Sequence, residues 1–419
     1  MPLHSPATFD RRGFLALAGM SWLTPVGRLL AQQAETSREP AKSVILLWLG
    51  GGPSQLETFD PHPDKPIAAG TRAVETAAKG IRLAKGLDRL AEQMGSVALV
   101  RSVVSKEGDH ERGTYMMKTG YRPDPTVEHP SIGAICCHEL PVGRTDIPRH
   151  ISILTGQWPS RGGFLGGEFD GFQIGDPSGH LPDVTTAVSP ARDAARLSDL
   201  DVVERSFARG RKTRVEATLH RETLARARVM MSSEQLRAFD VSRETAAVRA
   251  EYGNSPFGRG CLAARRLIEV GVRCVEVTLD GWDAHVNNHE IHRKLVAQLD
   301  PAFAALLADL KRRDLLGRTI VVCGGEFGRS PKVNVAGGRD HWPNGFSLAL
   351  AGGGIRGGYA LGKTDPYGLK GPDKPTSVED VHATVLTALG LNPGKENIAP
   401  ATTRPIKLSQ GKAIRELLA

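Results

Sequence analysis

Carboxylate and imidazole side chains recur together at three places in this chain: Asp109-His110, Asp283 with His285, and Asp340-His341. Each pair sits in a glycine-bearing stretch, and a strand-like run between the last two ends in Glu326. Mixed oxygen and nitrogen donors of this kind suit zinc or manganese, with calcium or magnesium as the oxygen-favouring alternatives. Asp283 and His285 are two residues apart, so in extended backbone they point the same way and can chelate one ion. Arg339-Asp340-His341-Trp342-Pro343 is the most specific local motif of the set. Asp109-His110 opens a predicted helix, where the helix's positive end favours an anion or a nucleophile, although Asp109 also suits a plain helix cap. Gly51-Gly52-Pro53-Ser54 offers backbone N–H groups that could cradle an anion, or simply a tight turn. Glu326 with Arg329 reads as a site pair or a structural ion pair.

Such groups must be carried by loops at strand ends, and the hydrophobic pattern supplies the strands. Ser43–Leu49, Thr319–Cys323 and Phe346–Ala351 are continuous apolar runs ending in or near glycine, the signature of strands covered on both faces. Val97–Val104, Ile151–Leu154 and Arg273–Leu279 read as further strands. Helices are expected over 86–94, 111–118, 130–140, 257–270 and 290–314, and from a cap at Ser377 through Leu389. Two or three Arg-rich helices over 190–250 read as an insertion or cap. The order predicts an α/β fold, a mostly parallel central sheet with helices on both faces. In such a sheet the loops at the carboxyl ends of the strands meet in one crevice.

The chain has 419 residues, 40% hydrophobic and 24% charged, with a formal net charge of +8. The basic residues are spread over helical stretches, and no zinc knuckle or basic stripe interleaved with aromatics is present, which argues against nucleic acid. An anionic ester or polysaccharide partner fits the charge. Asp10-Arg11-Arg12-Gly13-Phe14-Leu15 has the layout of a twin-arginine export signal, followed by a broken apolar run to Leu30, too short to span a bilayer. The expected organisation is a signal segment over 1–34, a linker over 35–42, and one domain over 43–419. That places the protein in the periplasm or otherwise outside the cytoplasm. The five cysteines show no zinc-site spacing.

Several motifs together resemble the "domain of unknown function 1501" family, grouped with alkaline phosphatases and sulfatases. They are Gly51-Gly52-Pro53-Ser54-Gln55 with Thr58-Phe59-Asp60-Pro61, Asp109-His110-Glu111 with Thr119-Gly120-Tyr121, and Gly281 to His285. Glu326 to Arg329, Gly338 to Trp342, Gly362 to Asp365 and Glu379 to Thr384 complete the set. The resemblance covers about residues 42–410 and implies an alkaline phosphatase/sulfatase-like fold. It implies an exported, metal-dependent hydrolase of sulfate or phosphate esters, with a catalytically degenerate scaffold or carbohydrate- and envelope-binding partner as the alternative. It also implies roles: Asp283, His285, Glu326 and His341 as metal ligands with Asp340 beside them; His110, with Asp109 and Arg329, where catalysis would occur; Gly51, Gly52 and Ser54 as an anion cradle. Two departures stand out. Gly51 holds the place of a metal-binding Asp, for which Asp60 or Asp109 would have to substitute, and His110 holds the place of the usual nucleophile.

Overall fold

In the computed structural model, the described residues are 39–178, 181, 184–211 and 220–419. The twin-arginine segment and most of the linker expected before residue 43 lie outside them. Residues 41–419 form one compact unit.

Its frame is a nine-stranded sheet. In chain order the strands are β1 (Ser43–Trp48), β2 (Val97–Val104), β3 (His150–Ile153), β4 (Phe172–Ile174), β5 (Cys274–Thr278), β6 (Thr319–Gly324), β7 (Phe346–Gly352), β8 (Tyr359–Leu361) and β9 (Thr376–Ser377). The spatial order is β8-β2-β7-β6-β1-β5-β3-β4, with β9 also pairing with β2. All pairings are parallel except those of β7, which runs against both β2 and β6. The mostly parallel sheet is therefore as expected, with one reversed strand inside it.

The helices are α1 (Asp88–Gln93), α2 (His110–Thr119), α3 (Ile132–Glu139), α4 (Pro190–Ala208), α5 (His220–Ser232), α6 (Ala246–Glu251), α7 (Pro256–Glu269), α8 (Asn288–Arg312) and α9 (Val378–Ala388). Alternation along β1 assigns its two faces. Ile45 and Leu47 join Val275, Val277 and Val321 against α7 and α8, where Phe257, Leu262, Phe303 and Leu306 are fully buried. Val44 joins Ile320 and Leu350 against α3 and α9, through Ile135, Val381 and Leu386. Each fully buried aliphatic side chain contributes about 1.5–3 kcal/mol, so the two-sided core rather than any single contact fixes the sheet. Among the described residues no helix is long and apolar enough to cross a membrane, and all five cysteines are free and buried.

Register does the positioning. Trp48 lies level with Thr278 of β5 and with Gly324 of β6. The loops after β1, β5 and β6 therefore leave the sheet side by side. Because β7 is reversed, it begins at that same edge, and the segment leading into it reaches the other three loops. α2, entered just after β2, brings its first turn to the same place. Its cap is Asp109, whose carboxylate accepts from the Arg112 N–H at 3.2 Å, and it ends at Gly120, which adopts φ 74°.

Candidate metal centre

Three imidazoles converge on one carboxylate oxygen. Asp283 Oδ1 lies 3.4 Å from His110 Nε2, 3.4 Å from His341 Nε2 and 3.0 Å from His285 Nε2. The opposite nitrogen of each ring faces an acceptor. His110 Nδ1 is 2.7 Å from Glu326 Oε1, His341 Nδ1 is 2.8 Å from the Gly108 carbonyl, and His285 Nδ1 is 3.4 Å from Asp340 Oδ1. A carbonyl or carboxylate can only accept, so each Nδ1 carries the proton. The Nε2 lone pairs of neutral rings are then turned inward. That is how a metal-binding histidine is held: one nitrogen for the ion, the other anchored to an orienting acceptor.

The donor set fits a cation. Ligand atoms of His110, Asp283 and His341 lie within 4.8 Å of one another. The Nε2 atoms of His285 and His341 are 3.0 Å apart, a repulsive approach for two lone pairs unless a proton or an ion lies between them. His110 Nε2 and Glu326 Oε2 are buried without a hydrogen-bond partner, atoms that would otherwise be costly to leave unsatisfied. Two nitrogens and one carboxylate oxygen, with His285 Nε2 adjoining at 3.0 Å from both Asp283 Oδ1 and His341 Nε2, are a zinc- or manganese-type set.

The charges are arranged to match. Glu326 is 1% exposed, and its Oε1 also accepts the Gly51 N–H at 2.9 Å. Its hydrogen bond to His110 holds that imidazole above the ordinary range; burial pulls the other way, and the charges of Glu326 and Asp283 add to the rise. Burial lowers the His341 pKa, aided by Arg329 and His110. Burial pushes the Asp283 carboxyl up, but the Arg329 hydrogen bond and charge, with those of His110 and His285, bring it below the usual range. Arg329 is fully buried. It donates to Asp283 Oδ1 at 2.6 Å, to the Gly52 carbonyl at 2.9 Å, to the Arg339 carbonyl at 3.1 Å and to the Gly51 carbonyl. One guanidinium thus ties the glycine loop, the Asp283 loop and the strand holding His341 together.

The sequence-selected residues separate into those that converge and those that do not. His110, Asp283, His285 and His341 form the inner ring. Glu326 and Asp340 stand behind it as the orienting acceptors of His110 and His285, and Arg329 clamps the base. Asp109 caps α2 at the surface. Asp60 is buried and accepts the Thr364 N–H and hydroxyl at 2.8 and 2.6 Å, away from the ring. His292, which the sequence did not single out, is buried and accepts the Ser54 N–H at 2.8 Å. The Gly51 N–H is taken by Glu326, the Gly52 carbonyl by Arg329 and the Ser54 N–H by His292, so the cradle donors at 51 and 54 are already used. A Cβ on Gly51 would meet the Asp283 N at 2.5 Å, at φ 109°. A side chain at position 51 would require the backbone at Trp282–Asp283 to shift.

Beside the ring a cleft of about 250 Å³ is lined by Gly50, His110, Lys118, Trp158, Asp280 and Glu326. Asp280, Lys118 and Trp158 escape the sequence reading. Asp280 is the second residue past β5, a strand-tip carboxylate hidden by the more conspicuous Asp283-Ala284-His285. Its Oδ1 fills the space where a Gly50 side chain would stand, 2.0 Å from an ideal Cβ. Burial and the neighbouring Glu326 charge raise its pKa.

Over residues 41–418 the sequence matches the family described as Protein of unknown function (DUF1501). No curated protein matches it. Solved structures that align with it include the PsFucS1 sulfatase from Pseudoalteromonas sp., at 14% identity and TM-score 0.40, covering 87% of this chain and 70% of that one. They also include the alkaline phosphatase from the Antarctic bacterium TAB5, at 12% identity and TM-score 0.36, covering 85% and 100%. A protein in the alkaline phosphatase superfamily from Vibrio parahaemolyticus aligns at 11% identity and TM-score 0.37, covering 92% and 72%. Likeness at this level supports no inference about chemistry.

Proposed function

The chain belongs to the DUF1501 family, and we propose that this member is a metal-dependent hydrolase of sulfate or phosphate esters that works outside the cytoplasm after twin-arginine export. The observation that carries the reading is the approach of three Nε2 atoms to one Asp283 oxygen, each ring tethered at its other nitrogen.

His110, Asp283, His285 and His341 would hold a zinc or manganese ion. Bound there, the ion would polarise an ester oxygen and acidify water. The chain's own groups do the rest. Glu326 and the Gly108 carbonyl keep the Nδ1 protons of His110 and His341 in place. Arg329 fixes Asp283 and the Gly51–Gly52 turn. With both nitrogens of His110 committed, the head of α2 supplies a ligand rather than a protein nucleophile. The net charge of +8 suits an anionic substrate.

Metal analysis of the purified protein, followed by hydrolysis of aryl sulfate and aryl phosphate by wild type, His341→Ala and Asp283→Asn, tests the proposal. Bound zinc or manganese, with turnover lost in both variants, is expected. Absence of metal, together with no thermal shift on adding either ion, would sink it. A second reading, a binding protein on a degenerate site, draws on Gly51: it supplies no carboxylate, and a side chain there would collide with the Asp283 backbone. Stoichiometric metal without turnover of any ester would favour that reading.

A further inference from the structure

The Lys118–Glu276 pair is the least expected feature of the cleft. Lys118 on α2 is 5% exposed and Glu276, midway along β5, is 1% exposed; they meet at 2.8 Å. Lys118 Nζ also donates to the Trp158 carbonyl at 2.8 Å and lies 5.0 Å over the Trp48 ring. The second Glu276 oxygen accepts from Ser160 Oγ at 2.6 Å. The segment 158–160 is thus pinned at two points to one charge pair. Burying such a pair gains little stability by itself, so its value lies in what it holds still. What it holds is the backbone that carries the Trp158 indole. Trp158 lies within 12° of parallel to the His110 imidazole at 6.4 Å between centroids, at the long end of ring contact. Trp158 is half-buried and lines the cleft beside the exposed Gln157 amide and the Asp280 carboxylate.

We propose that Trp158 is the platform for the sugar ring of a carbohydrate ester, with Lys118, Glu276 and Ser160 as its positioning residues. A sugar presents an apolar C–H face ringed by hydroxyls. An aromatic face bordered by an amide and a carboxylate matches both parts. A simple aryl ester would use the face and leave the two polar groups without partners. The inference rests on the ester-hydrolase reading for the placement of the ester group, while the platform itself needs no metal.

Calorimetric titration of the whole protein, with and without chelator, tests it. The probes are sulfated galactan, fucan and glycosaminoglycan tetrasaccharides, their desulfated forms, and para-nitrophenyl sulfate. At least one saccharide should bind, its desulfated form should still bind in chelator, and Trp158→Ala should weaken it tenfold or more. Trp158→Phe should restore binding to within about threefold, and zinc affinity should be unchanged in both variants. Ser160→Ala, which removes one of the two anchors, should give an intermediate loss. Folded Trp158→Ala that binds as wild type does, or a wild type that binds only the aryl probe or none, overturns the platform. Absence of metal with sugar binding intact would instead sink the hydrolase reading and leave the platform standing.

Discussion

Replacing Glu326 by Gln tests the centre at the carboxylate that orients His110. Glutamine keeps the size of the side chain, and its carbonyl can still accept the Gly51 N–H that Glu326 Oε1 accepts at 2.9 Å. What it loses is the charge that orients His110 through the 2.7 Å contact with Nδ1. Outer carboxylates behind metal-bound imidazoles are worth about 10–100-fold in affinity, or about 1.4–2.8 kcal/mol. Zinc binding to metal-free protein, measured by competition with a chromophoric chelator, should weaken by that factor. A second readout follows from linkage. Glu326 raises the His110 pKa in the folded, metal-free protein. That contribution to stability is fully present below the unfolded imidazole pKa of about 6.5 and disappears as pH rises through the elevated folded value. The metal-free wild type should therefore lose stability towards alkaline pH, and Glu326→Gln should flatten that slope. Zinc affinity within twofold of wild type, in a folded variant with an unchanged pH profile, would refute the assignment of Glu326 as the orienting acceptor.

Other outcomes are equally specific. Asp340→Asn, altering an exposed group at the weaker 3.4 Å contact with His285, should cost less than tenfold in zinc affinity by the same titration. Arg329→Met removes a fully buried guanidinium and leaves the Gly51 and Gly52 carbonyls and the half-exposed Asp283 without their donor; a loss of about 3 kcal/mol in urea unfolding is expected. Zinc at one hundred times its dissociation constant should stabilise the fold by about 2.7 kcal/mol, read as a rise in Tm that chelator reverses and His341→Ala abolishes. Away from the site, burial raises the Asp309 carboxyl but Arg265, Arg313 and Tyr252 outweigh it and hold its pKa low. The stability this gives is present above the unfolded carboxylate pKa of about 4 and is lost as pH falls through the lower folded value, so Asp309→Asn should blunt acid unfolding between them.

Much of this was legible in the chain because strand tips announce themselves. The runs at β1, β5, β6 and β7 and the glycine-bearing segments at their ends placed Glu326, Asp283, His285 and His341 at one sheet edge. The division into groups that face the centre and orienting acceptors behind them was not legible. Glu326 and Asp340 carry the same chemistry as Asp283, and only the direction of each imidazole separates them. Short strands such as β8 and β9 show no period to read. Glu276 sits in Val275-Glu276-Val277, where alternation suggests a charge turned to solvent; its partner Lys118 is 158 residues away, so nothing local reveals that both are buried. Asp280 and Trp158 became visible only once the loops were assembled around the cleft.

The reversed strand has a consequence for assembly. β7 is inserted between β2 and β6, strands that enter the chain at residues 97 and 319, and His341 lies in the segment that leads into it. Long-range pairings of this kind form late, so an ion that needs His341 has no complete site on a partly folded chain. Metal capture would then act as a latch on the last central strand. Stripping the ion should loosen that strand first, with amide exchange in Phe346–Gly352 rising before exchange in β1.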